Sequence, residues 1–120
     1  MVTVFANNQL MIAEGAVSVS ITTDPVPMGG ADRIAGVFHV HYSFGTGLTM
    51  TVAVEGSNDG QTWITVDSGT PTTAAGDIVP IPTLPTEAVH AFLRVTFTLL
   101  ATGANTNGIC FDYHAIIDKS

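Results

Sequence analysis

Leu48-Thr49-Met50-Thr51-Val52-Ala53-Val54-Glu55-Gly56-Ser57-Asn58-Asp59-Gly60-Gln61-Thr62-Trp63 is the stretch that decides the fold. Leu48, Met50, Val52 and Val54 alternate with Thr49, Thr51, Ala53 and Glu55. A two-residue period is that of a strand with one buried face. The alternation stops at Ser57-Asn58-Asp59-Gly60, where Asn, Asp and Gly supply turn geometry and positive φ cheaply. The chain then returns through Gln61 to Asp67, which makes a hairpin.

The same period extends in both directions. Ile34, Phe38, Val40, Tyr42 and Phe44 share one parity, with His39, His41 and Ser43 on the other. Gly45-Thr46-Gly47 suits a tight hairpin loop, so residues 34–66 read as a three-strand meander. Upstream, Val17, Val19 and Ile21 alternate with Ser18, Ser20 and Thr22. Val2–Phe5 and Gln9–Ala13 are two short strands, or one strand crossing Asn7-Asn8. Downstream, Asp67 to Gly76 is a small polar loop. Pro80, Pro82 and Pro85 confine the stretch from Ile78 to Thr86 to an edge strand or connector, because proline has no ladder N–H. Val89, Ala91, Leu93, Val95, Phe97 and Leu99 mark a long strand, and Ile109, Phe111, Tyr113, Ala115 and Ile117 mark the last. No segment has sustained helical spacing. The expected fold is all-β, one domain over residues 1–120. It is an antiparallel β-sandwich of seven to nine strands, either a jelly roll or an immunoglobulin-like Greek key.

Composition narrows the function. Of 120 residues, 46% are hydrophobic and 11% charged, the reverse of a disordered chain. Three Lys and Arg against ten Asp and Glu cannot follow a phosphate backbone, so no nucleic-acid partner is expected. A single cysteine, Cys110, excludes an intrachain disulfide. The longest apolar stretch, from Ala88 to Ala101, is interrupted by His90, Arg94, Thr96 and Thr98 and falls short of the roughly 18 residues of a membrane helix. No membrane partner is expected. Met1 to Ala6 lacks a basic segment leading an apolar one, so synthesis in a cytoplasm without a cleaved signal is expected.

Candidate chemistry is sparse. His39 and His41 lie two apart on one strand, and Asp112 and His114 have the same relation on the last. If those strands are neighbours, three imidazoles and a carboxylate could converge on a divalent cation such as zinc. Otherwise they form the polar row opposite a core row. The expectation is no metal and no cofactor, with His39, His41, His114 and Asp112 as the candidates should one bind. Glu55, Asn58 and Asp59 offer oxygen ligands for calcium, but they match no calcium-loop spacing, and an Asx-type turn in which Asp59 or Asn58 bonds its own backbone is the favoured reading. Cys110 has no basic neighbour, no serine lies in a G-x-S-x-G setting, and Gly29-Gly30 lacks the lysine of a phosphate loop. The chain is expected not to be an enzyme.

Two late strands are apolar on both parities. Phe92 and Leu100 share a parity with Arg94, opposite Val95 and Phe97, and Cys110 and Ile116 lie opposite Phe111 and Tyr113. Strands apolar on both faces are covered on both sides. Another subunit is the simplest cover, with Phe92, Arg94 and Ile116 as candidate contacts.

The segment Ser57-Asn58-Asp59-Gly60-Gln61-Thr62-Trp63 is similar to the S-x-DG-x-x-W hairpin of discoidin-like domains. Ala91-Phe92-Leu93-Arg94-Val95-Thr96 resembles the R-Y-V-R-L strand that often follows it. The same pairing occurs in small structural proteins of tailed bacteriophages, the favoured resemblance, since this chain lacks the framework cysteines of discoidin domains. That resemblance implies a structural virion protein, a head decoration, cementing or other capsid-associated protein. Its partners would be a capsid or other virion protein and itself, as a homo-oligomer with a trimer favoured. The alternative is a discoidin-like carbohydrate-binding module with Trp63, Phe92 and Phe44 as a sugar platform.

Overall fold

The computed structural model describes residues 2–81, 86–87 and 90–119. Among the described residues every regular element is a strand: β1 (Val2–Glu14), β2 (Ser18–Thr22), β3 (Val26–Pro27), β4 (Arg33–Phe44), β5 (Leu48–Ser57), β6 (Ile64–Gly69), β7 (Ile78–Pro80), β8 (Thr86–Glu87), β9 (Phe92–Ala101) and β10 (Thr106–Asp118). Seven of these have five residues or more, and β3, β7 and β8 are two- or three-residue pieces. The first sheet runs β1-β10-β4-β7 with β8 also on β4, and the second runs β2-β9-β5-β6 with β3 on β9. All ladders are antiparallel. The proline-bearing β7 lies at an edge, as its missing N–H requires. Pro82, Pro85 and Val89 lie outside the described residues.

The ladders β1·β10, β2·β9, β4·β8 and β5·β6 obey one rule. Val2 pairs with Ile116, Ser18 with Leu100, Arg33 with Glu87 and Val52 with Gly69, so partner numbers total 118, 118, 120 and 121. The chain is therefore one long hairpin, doubled back at Asn58–Gly60. That hairpin is then rolled, so that β4 meets β10 and β5 meets β9. This is the jelly roll of the two expected topologies.

Rolling brings the apolar parities together. Phe38 and Val40 on β4 and Phe111 and Tyr113 on β10 face Val52 and Val54 on β5 and Val95 and Phe97 on β9, all 0% exposed. Phe97 sits 4.8 Å from the Phe111 ring and 5.8 Å from that of Tyr113, and Phe38 lies 5.1 Å from Phe111. The Tyr113 hydroxyl donates to the Ile81 carbonyl, so the one polar group of this cluster is satisfied. It passes directly over Gly36, where any side chain would overlap it.

Three expectations need correcting. First, residues 34–66 are not a meander. β5 and β6 pair, but β4 lies in the other sheet, so Gly45-Thr46-Gly47 is an arch across the core rather than a hairpin loop. Strand parity is the same whether the next strand lies alongside or across the core. The fully buried Asn107 secures this arch: its Oδ1 accepts the Thr46 N–H at 2.8 Å, and its Nδ2 donates to the Asn105 carbonyl. Second, Tyr42 and Phe44 do not continue the core row. Cys110 pairs with Tyr42 but Phe111 pairs with Val40, which leaves His41 as the extra residue of a bulge. The bulge moves Tyr42 and Phe44 outward, where they are 47% and 40% exposed. Third, of the two readings of the N-terminal stretch, the single strand holds. β1 crosses Asn7-Asn8 in one piece, with Asn8 at φ 48° in the left-handed region.

Phe97→Ala should lower the unfolding free energy by about 3–5 kcal/mol, read as a shifted urea midpoint at unchanged slope. A loss below about 1 kcal/mol would mean that Phe97 is not the keystone of the core.

Candidate functional site

Residues directly opposed in an antiparallel ladder point to the same side of the sheet. The registers of the first sheet therefore map its outer face row by row. Ala35, Ile116 and Val2 form one row, and Val37, His114 and Val4 the next. Beyond the bulge lie Tyr42, Cys110 and Leu10, then Phe44, Gly108 and Ile12. His39 is paired with Ile78 on its other side. Of the eleven exposed large hydrophobic residues among the described ones, eight belong to this face: Val2, Val4, Leu10, Ile12, Tyr42, Phe44, Ile78 and Ile116. Exposed apolar surface concentrated on one face in this way marks an interaction site.

Between the two apolar ends runs a polar belt. His39 lies directly opposite Asp112, and the bulge sets His41 beside them. His41 Nε2 is 2.8 Å from Asp112 Oδ2, and the two imidazoles meet edge-on at 4.7 Å. The other carboxylate oxygen, Oδ1, accepts the Asn8 N–H at 2.6 Å. Burial pushes the Asp112 carboxyl up, but the Asn8 N–H and the neighbouring imidazoles outweigh it and hold the group below its usual range. The condition for convergence, that the two strands adjoin, is thus met for three of the four candidates. His114 sits one row further along, paired with Val37 and Val4, outside the converging set.

No family model and no curated protein matches the chain. Solved structures share its fold. The chain is similar to the PBSX exported protein XepA over 100% of its own length and 37% of that chain, with a TM-score of 0.64 and 12% identity. It is similar to VP2 of a subviral particle of infectious bursal disease virus over 99% of its length and 32% of that chain, with a TM-score of 0.61 and 13% identity. A structure of the Gt strain of the same virus gives 98%, 31%, 0.59 and 11% in the same order. The chain thus spans about a third of the length of these proteins. At such identities the likeness is one of fold alone.

Of the remaining candidates, Phe92, Arg94 and Glu55 lie on the second sheet, while Ile116 and Phe44 belong to the first-sheet face. Arg94 stacks 4.1 Å above the Trp63 ring and pairs with Glu55 Oε1 at 3.0 Å, an oxygen that also accepts the Thr96 hydroxyl. Phe92 is half-buried on that outer face and Ile116 lies on the opposite one, so the three candidate contact residues divide between the two sheets. Trp63, Phe92 and Phe44 form no single platform, because Phe44 is on the first sheet and Arg94 covers a face of Trp63. Glu55 and Asp59 are engaged separately, Glu55 with Arg94 and Thr96 and Asp59 within its own turn. Asp59 Oδ1 accepts the Gln61 and Thr62 N–H groups, each at 2.8 Å, and the Ser57 hydroxyl at 3.0 Å. This is the Asx-type turn of the two readings. The apolar face itself escaped sequence reading except at Ile116 and Cys110. Its signals were the Asn7-Asn8 break in β1 and the bulge at His41, and only the first is visible locally.

The Thr62 and Gln61 N–H groups, then the Ser57 hydroxyl, lower the Asp59 carboxyl from 3.8 to about 2. A group whose folded value is depressed stabilises above its unfolded value and loses that contribution as pH falls through the folded one. Thermal melts should therefore show an acid loss between about pH 4 and pH 2. Asp59→Asn, which keeps the acceptor oxygen, should flatten part of it. Parallel profiles for the two proteins would remove Asp59 from the acid response.

Proposed function

We propose that the chain is a structural virion protein, a head decoration, cementing or other capsid-associated protein, working through contacts made by the outer face of the first sheet. One observation carries this reading: eight of the eleven exposed large hydrophobic residues among those described lie on that face. Burying such surface stabilises association by about 25 cal/mol per Å² before the costs of ordering are met. The outer face of the second sheet differs. There Ser20 bonds Thr98 at 2.9 Å and Thr22 bonds Thr96 at 3.0 Å, hydroxyl pairs that are at home against water. The first-sheet face is therefore the docking side proposed, with Leu100 an exposed large apolar residue on the second sheet's outer face.

The capsid proteins that share the fold support the reading, since VP2 is found in a subviral particle. The first partner proposed is a second copy of this chain in a closed symmetric oligomer, a trimer being favoured, and the next is a capsid or other virion protein. Contact rather than catalysis is the work proposed. The net charge of −7 keeps the unassembled chain soluble in the host cytoplasm before it reaches the virion.

Sedimentation and native mass spectrometry of the purified chain should show a closed oligomer. Val4→Glu with Ile116→Glu should weaken it at least about tenfold, the 1.4 kcal/mol that one poorly buried charge readily exceeds. The variant should keep the far-UV circular dichroism of a folded sandwich, because the two side chains are 61% and 49% exposed, and its thermal midpoint should lose the protein-concentration dependence that association gives the wild type. A wild-type monomer that also fails to co-sediment with capsid particles would overturn the proposal.

A further inference from the structure

Asp112 occupies an unusual place in the first sheet. It lies on β10 with a register shift in each neighbouring strand. On one side β4 carries the extra residue His41, and on the other β1 carries the irregularity at Asn7-Asn8. Bulges re-aim side chains, and both of these aim polar groups at the same carboxylate. Asn8, held at φ 48°, directs its N–H to Oδ1. His41 brings Nε2 to Oδ2, and His39 arrives from the directly opposed position.

We propose that His39, His41 and Asp112 form a three-ligand site for a divalent transition-metal ion of the zinc type. Their ligand atoms lie within 4.8 Å of one another, the only such group of three His, Cys, Asp or Glu side chains among the described residues. An ion bound at about 2.0–2.2 Å from each ligand requires separations of roughly 3.3 Å, so the set needs to close by about 1 Å or more at its widest. Partly exposed imidazoles can supply that by small χ rotations, the His41 side chain being 31% exposed.

Two details favour an ion over a simple His–Asp pair. His41 Nε2 is buried and close to Oδ2, yet it has no hydrogen bond of acceptable direction. Asp112 also has the support of a metal-ligating carboxylate, one oxygen fixed by a backbone N–H and the other turned to the site. All three ligands come from one chain, so the site does not depend on assembly.

Titration calorimetry of the metal-free chain with zinc chloride should show saturable binding of one ion per chain. His39→Ala, His41→Ala and Asp112→Asn should each weaken it by about tenfold or more, whereas His114→Ala should change it by less than about threefold. The Val4→Glu and Ile116→Glu variant should bind as well as the wild type. Cobalt should give visible d–d bands that vanish in the three ligand variants, with far-UV circular dichroism confirming that each is folded. Failure to saturate, or equal binding by a folded triple variant, would overturn the site. So would a loss on His114→Ala as large as that on His39→Ala.

Discussion

Doubling the chain back at one turn fixes where every other part of the molecule falls. Once Ser57 and Asp59 hold the turn from Asn58 to Trp63, β5 and β6 zip together, and each outer ladder follows with almost the same partner rule. The rule alone gives an open ribbon with an apolar side. Rolling that ribbon closes its apolar side on itself, and the rings of Phe38, Phe97, Phe111 and Tyr113 become the contact that keeps it closed. The turn sets register and the aromatic core sets curvature, and both are needed before the outer faces exist.

How far the sequence can be read follows from this division. The turn at Asp59-Gly60 is local chemistry, and so is the two-residue period, which is why the strands and the β5·β6 hairpin were legible. The crossing from β4 to β5 was not, because an arch and a hairpin ask the same of Gly45 and Gly47. Bulges are equally hidden. Val40, His41 and Tyr42 keep an unbroken alternation in sequence, and only the ladder with β10 shows that His41 is the extra residue. The pairing of His39 with Asp112 spans more than half the chain, so no spacing rule could reveal it. Ile116 was legible as a surface apolar residue because parity sufficed. That it lies on a different sheet from Phe92 and Arg94 depends on strand order, which parity does not carry.

The unusually low charge also becomes specific to a place. Hydroxyl residues and the Glu55, Arg94 and Trp63 cluster occupy the outer second sheet, and exposed aliphatic and aromatic side chains occupy the outer first sheet. The histidine belt divides the apolar face in two. Polar groups inside an apolar contact oppose sliding, because a shift in register would strand them against hydrocarbon. A surface patterned in this way carries orientation as well as attraction.

The nested ladders have a kinetic consequence. Closing a loop costs more entropy as it lengthens, and the loops here grow from that between Gly56 and Ile64 to that between Val2 and Ile116. Folding that spreads outward from the Asp59 turn would lay β1 on β10 last, at the speed of sandwiches dominated by distant pairings, milliseconds to seconds. Until β1 arrives, β10 presents an open row of N–H and C=O groups beside apolar side chains, and a β1 from another chain fits that edge as well as its own. Exchange of the first strand between copies is therefore the misfolding route to which this topology is most exposed.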